Sequence, residues 1–482
     1  MTTPRMDQER SPSGSVGDVL AVGFGTSATM WTVAYALRLA EQHVTSPRVV
    51  LALICAGAVL LLACHVVGGF LLGRYALRGV AGAAGAGFLS GLINLLAVAS
   101  AFSGDRPNQV RPSAPLWIGG TLLLATALTA FGAWLGARRR PTGLEPPDWS
   151  GGLALVAACA AFILLGIGGF VTGLDEGLAV VDWPNTETYN MFLYPLSRMT
   201  GGVFLEHSHR LFGSLVGLTT LVLAIQVLTN DRRRHVKLLA VAALVFVIVQ
   251  GVLGGLRVTG RFTLSADPAD TRPSVVFAII HGAFGQVVFG TLVVLAVFRS
   301  RPWRETRRAH TAPGAGTDRA LAILLTTLLL IQLVAGALVR HFSWALYKLR
   351  FELPVVPDHL IAAGHRALTV HVTLAVLVTL AASGAGIRAW GLYPHVPPLR
   401  RLGTTLLALV VVQLGLGIGA LVATGNDAPN NQPGLLDALV TTAHQMLGAG
   451  LLALALLLLL WEHRLLAAPV AGSAVASAGP AR

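Results

Sequence analysis

Four histidines have the residue type and spacing expected of metal ligands: His209, His281, His365 and His444. Each lies in the first half of a long apolar segment, where a polar side chain is costly unless it serves a function. Two histidines that face each other across neighbouring helices can ligate a haem iron through their neutral imidazoles. The alternative is that all four are hydrogen-bonded histidines of a closely packed helix bundle.

Other histidines give weaker signals. His65 is alone in its apolar segment and is predicted to be a packing histidine. His371 follows His365 by six positions, about 600° of helical rotation, so it is not expected to share that face. His207 is expected at the membrane interface.

Three charged residues accompany the histidines. Glu206 precedes His209 by three positions and so shares its helical face. A carboxyl there could exchange protons, or it could be a water-exposed glutamate favoured by the helix dipole. Arg210 and Arg366 directly follow two of the histidines, and each would either pair with a porphyrin propionate or face lipid headgroups.

The elements that must position these residues are membrane helices. Of 482 residues, 54% are hydrophobic and only 12% charged, whereas soluble domains carry about 25% charged residues. Mean hydropathy is +0.69. Because a span needs about 20 apolar residues and must satisfy its own backbone hydrogen bonds, we predict an all-α polytopic membrane bundle of about 12 transmembrane helices, the weakest at 17–38. Soluble, disordered and nucleic-acid-binding proteins are excluded.

The charges predict an orientation. The formal net charge is +13, and Lys and Arg are roughly twice as frequent in the segments that lie inside if the N-terminus is cytoplasmic. Both termini are therefore predicted to be cytoplasmic. The three cysteines lie in apolar runs and indicate neither a disulfide frame nor a thiolate metal site.

The last eight spans are predicted to be two repeated four-helix bundles. Gln250 precedes His281 by 31 residues, and Gln413 precedes His444 by the same 31. Each half also has a His-Arg pair at the start of an earlier span. The predicted divisions are a four-helix extension over 1–150, a first half over 151–300, a second half over 319–465 and a flexible cytoplasmic tail over 466–482.

Residues 151–461 resemble the haem A synthases, eight-helix membrane enzymes that convert haem O to haem A. The resemblance covers about two-thirds of the chain. It is carried by Thr172-Gly173, Gly177-Leu178, Asp182-Trp183-Pro184, Glu206-x-x-His209-Arg210, Gly254-Gly255-Leu256, His281, Gly364-His365-Arg366 and His444.

The resemblance implies oxidation of the C8 methyl of haem O to a formyl group, by two hydroxylations and loss of water, to provide haem A for cytochrome oxidase. It implies that His209, His281 and Arg210 bind the substrate haem. Glu206 matches the acidic residue implicated in turnover.

For the second half, the resemblance implies that His365 and His444 are the axial ligands of a permanent haem b. Arg366 is the candidate for binding a haem propionate. The implied location is the bacterial plasma membrane. The implied partners are haem O and haem A, with haem O synthase, a farnesyltransferase, and oxidase assembly factors as further candidates.

The sequence departs from the family pattern in two places. Residues 173–205 contain no cysteine, which excludes a thiol relay from that loop, and residues 1–150 are additional. Two other functions stay open: a bis-His dihaem cytochrome that takes electrons from quinol, and a non-catalytic haem-delivery or oxidase-assembly protein. The first does not explain Glu206 beside only one pair. A transporter is not favoured, because no span midpoint carries acidic residues or a broken helix.

Overall fold

The computed structural model describes residues 16–76, 79–104, 106–143, 147–259, 275–306, 310–352, 358–425 and 434–467. Its helices are α1 (Gly17–Glu41), α2 (Pro47–Tyr75), α3 (Gly79–Val98), α4 (Ala114–Arg138), α5 (Gly152–Gly173), α6 (Gly201–Asn230), α7 (Arg234–Val258), α8 (Val275–Arg299), α9 (Arg301–Glu305), α10 (Ala315–Glu352), α11 (Asp358–Gly391), α12 (Pro397–Gly425) and α13 (Leu435–Leu465). The two strands are β1 (His310–Thr311) and β2 (Leu466–Ala467).

The structure confirms the predicted all-α polytopic class. Within the described ranges, 12 helices are long and apolar enough to cross a membrane, and α1, which contains the weakest predicted span, is one of them. The short α9 does not qualify. Each of the 12 meets the length requirement of about 20 residues for crossing the hydrocarbon layer.

The chain forms two compact units. The first comprises Met1–Gly104, Gln109–Val156 and Arg299–Arg301, and the second comprises Asp105–Asn108, Ala157–Phe298 and Pro302–Arg482. These units do not separate residues 151–300 from 319–465, so the predicted division of the last eight spans into repeated halves stays a prediction.

Small residues bring α2 and α4 together in the first unit. Gly69 and Gly73 on α2 lie directly against the backbone of α4, and Gly132 and Gly136 on α4 lie against the backbone of α2. This reciprocal four-residue spacing of glycines allows close helix approach in membranes. His65 is buried beside Thr129, with 3.4 Å between Nδ1 and Oγ1, which confirms that it is a packing histidine.

The second unit contains every predicted site residue. Helix α10 contacts α11 and α13, and α12 also contacts both of these helices. Buried Ala, Val and Leu side chains fill the space between them. In the preceding four helices, Phe162 on α5 packs against Phe289 on α8 at 5.5 Å between ring centroids.

A two-residue parallel ladder joins β1 to β2, so Leu466 and Ala467 at the start of the predicted tail are paired strand residues. The remainder of that tail, 468–482, lies outside the described residues. At the same end of the bundle, the buried Asp318 accepts hydrogen bonds from Arg388 and Tyr393. Burial and this bond raise the pKa of the Tyr393 hydroxyl.

Candidate functional site

Two pairs of facing histidines lie inside the second unit. His209 on α6 faces His281 on α8, with 6.3 Å between ring centroids and 71° between ring planes. His371 on α11 faces His444 on α13 at 6.3 Å and 72°. The two pairs, called the first and second histidine pairs below, thus share one geometry.

The second pair corrects the predicted partner of His444. The structure does not bring His365 to His444: His365 and the adjacent Arg366 are exposed on α11, and His371 occupies the facing position. Six residues place His371 about 9 Å further along the helix and on a different face from His365. The predicted helix, α11, thus does face His444, but through His371.

A glycine on the preceding helix supports each of the four rings. A Cβ on any of these glycines would lie 3.1 Å from Cε1 of its histidine, so only glycine lets each ring approach so closely. The glycine–histidine contacts are Gly168–His209, Gly254–His281, Gly336–His371 and Gly417–His444.

Three of these histidines are also held by a glutamine one turn before the glycine. The side-chain amides of Gln250, Gln332 and Gln413 donate to the backbone carbonyl oxygens of His281, His371 and His444, at 2.8, 3.1 and 3.1 Å. The spacing Gln-x-x-x-Gly recurs at all three positions, whereas Leu164 stands at the corresponding position before Gly168. This third spacing, at 332–336, is the sequence signal that could have identified His371.

The histidine rings do not behave as ordinary packing histidines. Nδ1 of His209, His281 and His444 is buried and has no hydrogen-bond partner among the described residues. Buried polar atoms in folded proteins are nearly always paired. The interpretation of a hydrogen-bonded packing set is therefore not supported for these three rings.

Each pair has the spacing of two imidazoles that share one metal atom. A metal–nitrogen bond of about 2.1 Å plus about 1.1 Å to the ring centroid predicts a centroid separation of about 6.4 Å. In the described part of the chain, no group of three or more His, Cys, Asp or Glu side chains could hold a bare ion. Two ligands suffice for a haem, whose other four come from the porphyrin. The residues present therefore fit two bis-His haems.

Among the described residues, a buried ion pair adjoins the first histidine pair and not the second. Glu206 is 4% exposed, and its Oε1 lies 2.7 Å from Nη2 of Arg210. Its Oε2 accepts a hydrogen bond from the backbone N–H of Val180 at 2.9 Å. The interpretation of Glu206 as a water-exposed helix-start glutamate is therefore wrong, and one turn separates this carboxylate from His209.

Arg210 clamps the connection between α5 and α6, residues 174–200, which we call the α5–α6 loop. Its Nη1 donates to the carbonyl oxygens of Asp182 and Asn185 at 2.6 and 2.7 Å. Its Nη2 donates to the carbonyl oxygen of Val180 at 2.6 Å as well as to Glu206. Both terminal nitrogens of Arg210 are therefore engaged by groups of the protein itself.

His207 also anchors this loop. It is 0% exposed, its Nδ1 lies 3.0 Å from Oγ1 of Thr186, and its ring packs on Tyr194 at 5.1 Å. The expectation of an interfacial His207 is therefore replaced by a buried loop anchor. Burial and a hydrogen bond to Glu187 raise the pKa of the Tyr194 hydroxyl.

Trp183 of the loop packs directly on Gly255, where any Cβ would overlap the indole. Nearby, the carboxyl of Glu176 lies against Gly202 at the start of α6. Burial, with the charges of Asp175 and Glu206, raises the pKa of Glu176 above its ordinary value of 4.5. These contacts hold the loop against the end of α7 and the start of α6.

Two arginines at this end were missed by sequence reasoning. Arg340, at the end of the apolar part of α10, donates to the carbonyl oxygens of Thr172 and Gly173 at 2.7 and 3.0 Å, which satisfies the C-terminus of α5. Arg257, near the end of α7, lies against Gly177 of the loop. Neither has a local sequence signal beyond a charge at the end of an apolar run.

Comparisons with known proteins agree with the motifs. The family model described as COX15-CtaA, cytochrome oxidase assembly protein, matches residues 185–456, more than half of the chain. A haem A synthase from Granulibacter bethesdensis is 28% identical over 264 residues, 51% of this chain and 67% of that protein. One from Geobacillus kaustophilus is 27% identical over 270 residues, 54% of this chain and 77% of that protein.

The matched range contains both histidine pairs and Glu206 and ends inside α13. It confirms the family resemblance stated from the motifs, although the loop motif at 172–184 lies outside it. The chain belongs to the COX15-CtaA family of cytochrome oxidase assembly proteins.

Proposed function

We propose that this protein is a haem A synthase, which oxidises the C8 methyl of haem O to a formyl group. Haem O is bound as substrate by His209 and His281. Haem b is held by His371 and His444, in place of the His365–His444 set implied by the motifs. The observation that carries the proposal is two histidine pairs of equal geometry, of which the described residues place a buried carboxylate beside the first alone.

The residues around the first pair would bind, orient and enclose the substrate. His209 and His281 approach one macrocycle from two helices, and Gly168 and Gly254 set the rotation of their rings. Glu206 and Arg210 hold the α5–α6 loop to α6 and so limit the access of bulk water from that end. Haem b, when bound, supplies a one-electron carrier.

Glu206 is the acidic residue that we assign to turnover. Both of its oxygens are engaged, one by Arg210 and one by the N–H of Val180, so it would act from a fixed position one turn from His209. Its oxygens offer a site that can hold a proton beside the substrate pair. The second pair has the same glycine contacts and glutamine hydrogen bonds. No hydrogen bond of the described residues places a carboxylate beside it, which favours a non-catalytic haem there.

The experiment expresses the full chain in bacterial cells that make haem O but lack their own haem A synthase. The haems of the detergent-purified protein are extracted with acid–acetone and identified by mass. Haem A or its hydroxylated intermediate beside haem B supports the proposal. Haem B alone, at about two per chain, favours an electron-transfer cytochrome and refutes it.

A matched pair of variants tests the carboxylate. We expect Glu206→Gln to lose haem A while haem B and the folded protein are retained. Glu41→Gln, the same change at a partly exposed carboxyl of α1, should make as much haem A as the unaltered protein. Full haem A production by Glu206→Gln would favour a delivery or assembly protein that does no chemistry at this site.

We also propose the bacterial plasma membrane as the location, with both termini cytoplasmic. The 12 apolar helices and the excess of Lys and Arg in the predicted inner segments support it. Haem O synthase and oxidase assembly factors are the proposed protein partners. Reporter fusions at residues 140 and 466 should both report the cytoplasm, and a periplasmic signal at either would refute the orientation.

A further inference from the structure

Arg257 is a partly buried cation that has no hydrogen-bond or ion-pair partner among the described residues. Its Nε is buried and unbonded, and no described residue forms a hydrogen bond or an ion pair with its guanidinium. Burying a charge is expensive unless it is paired. A partly buried guanidinium with a buried, unbonded Nε can bind an anionic ligand next to it.

Arg257 lies beside the first histidine pair. Gly254, one turn earlier on α7, supports the ring of His281, and residues three apart share a helical face. Side chains on a helix lean toward its N-terminus, so the guanidinium is directed back toward that ring. The charge of Arg257 acts on both His209 and His281, which places it within electrostatic reach of both.

The loop leaves room for this guanidinium. A Cβ at Gly177 would lie 2.5 Å from Nη2 of Arg257, so any larger residue there would displace the side chain. Gly177 is itself buried. The Arg257 head group therefore packs against a loop position where a Cβ would force a shift.

The other arginines that could serve the first pair are already used. Both terminal nitrogens of Arg210 are engaged by Glu206 and three backbone carbonyls. Arg340 caps the end of α5. Arg366 is exposed and belongs to the other half. Arg257 differs from Arg210 and Arg340 in forming no hydrogen bond with a described residue.

The shape of the Arg257 head group suits a carboxylate ligand. Glu206 and Asp175 act on it electrostatically but do not pair with it, and His341 is also nearby. The planar fork of an arginine matches a carboxylate with two parallel hydrogen bonds. A haem carries two propionate carboxylates at one edge, and they would lie toward the loop end if the macrocycle stood between His209 and His281.

We propose that Arg257 binds a propionate carboxylate of the haem that occupies the first histidine pair. The inference rests on the proposed function only for the presence of a haem at that pair. Arg257 thereby sets which edge of the macrocycle faces the loop, and so which methyl group lies deeper in the bundle. Arg210, the arginine named by the sequence motif, serves the loop instead.

The test separates the carboxylate from the rest of the porphyrin. The full-length protein, purified in detergent without haem, is titrated with iron protoporphyrin IX and with its dimethyl ester, and the Soret band is followed. The binding phase that is lost in His281→Ala identifies the first pair. Arg257→Gln, Arg257→Lys, Gly177→Ala and the exposed-site control Arg400→Gln are compared with the unaltered protein.

We expect Arg257→Gln to raise the Kd of the first pair for iron protoporphyrin IX about tenfold or more, as for a lost charge-assisted bond. It should leave the Kd for the dimethyl ester unchanged. Gly177→Ala should act in the same direction, Arg257→Lys should recover part of the affinity, and Arg400→Gln should have no effect. Equal weakening of both porphyrins, or no weakening of either, overturns the inference.

Failure of the proposed function is distinguishable. If the unaltered protein and His281→Ala give identical titrations, there is no haem at the first pair, and both the inference and the proposed substrate site are overturned. If the affinity for iron protoporphyrin IX depends on Arg257, the affinity for the dimethyl ester does not, and cells produce no haem A, then the inference stands and the proposed reaction is refuted.

Discussion

Replacement of His371 by alanine tests the pairing that only the structure revealed. His371 faces His444 at 6.3 Å between ring centroids and is fixed by Gln332 on α10. His365 is exposed on the same helix. If His371 is a haem ligand, His371→Ala removes one of two protein bonds to the haem b, whereas His365→Ala removes none.

The magnitude follows from this difference. Loss of a group that merely orients a metal ligand costs 10–100-fold in affinity, so loss of the ligand itself should cost at least about 100-fold, or about 2.8 kcal/mol. Replacement of an exposed side chain without such a role usually changes the free energy of unfolding by no more than about 0.5 kcal/mol. The two alanine variants should therefore differ by roughly two orders of magnitude in haem affinity.

The assay is the haem-to-protein ratio after detergent purification, with the Soret band reporting the ligation. We expect His371→Ala to lose haem B from the second pair, and His365→Ala to retain it. His371→Met, which keeps a side chain able to ligate haem iron, should retain haem with a shifted spectrum. This variant shows whether any loss reflects ligation and not folding.

The reverse pattern would refute the reasoning. If His365→Ala loses haem while His371→Ala keeps it with an unchanged spectrum, the ligand is the His-Arg histidine of the motif. The facing rings of His371 and His444 would then be a packing contact.

Three further outcomes are expected. Gly254→Ala puts a Cβ 3.1 Å from Cε1 of His281 and should lower haem affinity at the first pair about tenfold. The control Gly251→Ala, which has open space around it, should leave that affinity unchanged. Equal haem titrations of the two variants would contradict this. Burial raises the pKa of the Glu176 carboxyl above 4.5, so folding favours its neutral form. The free energy of unfolding should therefore fall as the pH rises above 4.5. The Tm in detergent should show that fall, and Glu176→Gln should remove it. Arg210→Gln leaves the buried carboxylate of Glu206 unpaired, which should lower the free energy of unfolding by about 3–5 kcal/mol. It should also speed protease cleavage in the α5–α6 loop. An unchanged cleavage rate would show that Arg210 does not hold this loop in place.

Much of the fold was predictable because membrane helices are specified locally. An apolar run must satisfy its own backbone hydrogen bonds in lipid, so the spans follow from hydropathy without any long-range contact. The histidines at 209, 281 and 444 were also predictable, since a polar residue inside such a run is exceptional. The strand pairing of Leu466 with His310 was not, because it joins segments far apart in the chain.

The partners of the charged groups were beyond the sequence for the same reason. Motif spacing places Arg210 beside His209 but does not show that its guanidinium turns to Glu206 and the loop carbonyls. Nor does it show that Arg257, from another helix, lies beside the same histidines. Which donor meets which acceptor depends on distances between helices, and no single segment contains that information.

The sequence by itself determined the class of protein, the number of spans, the family and three of the four facing histidines. Only the tertiary structure decided that His371 and not His365 stands opposite His444. The helical repeat shows which residues of α11 share a face. It does not show how far α11 is shifted or rotated relative to α13. That register is set by packing between helices, here by the contacts of Gly336 and Gln332 with His371.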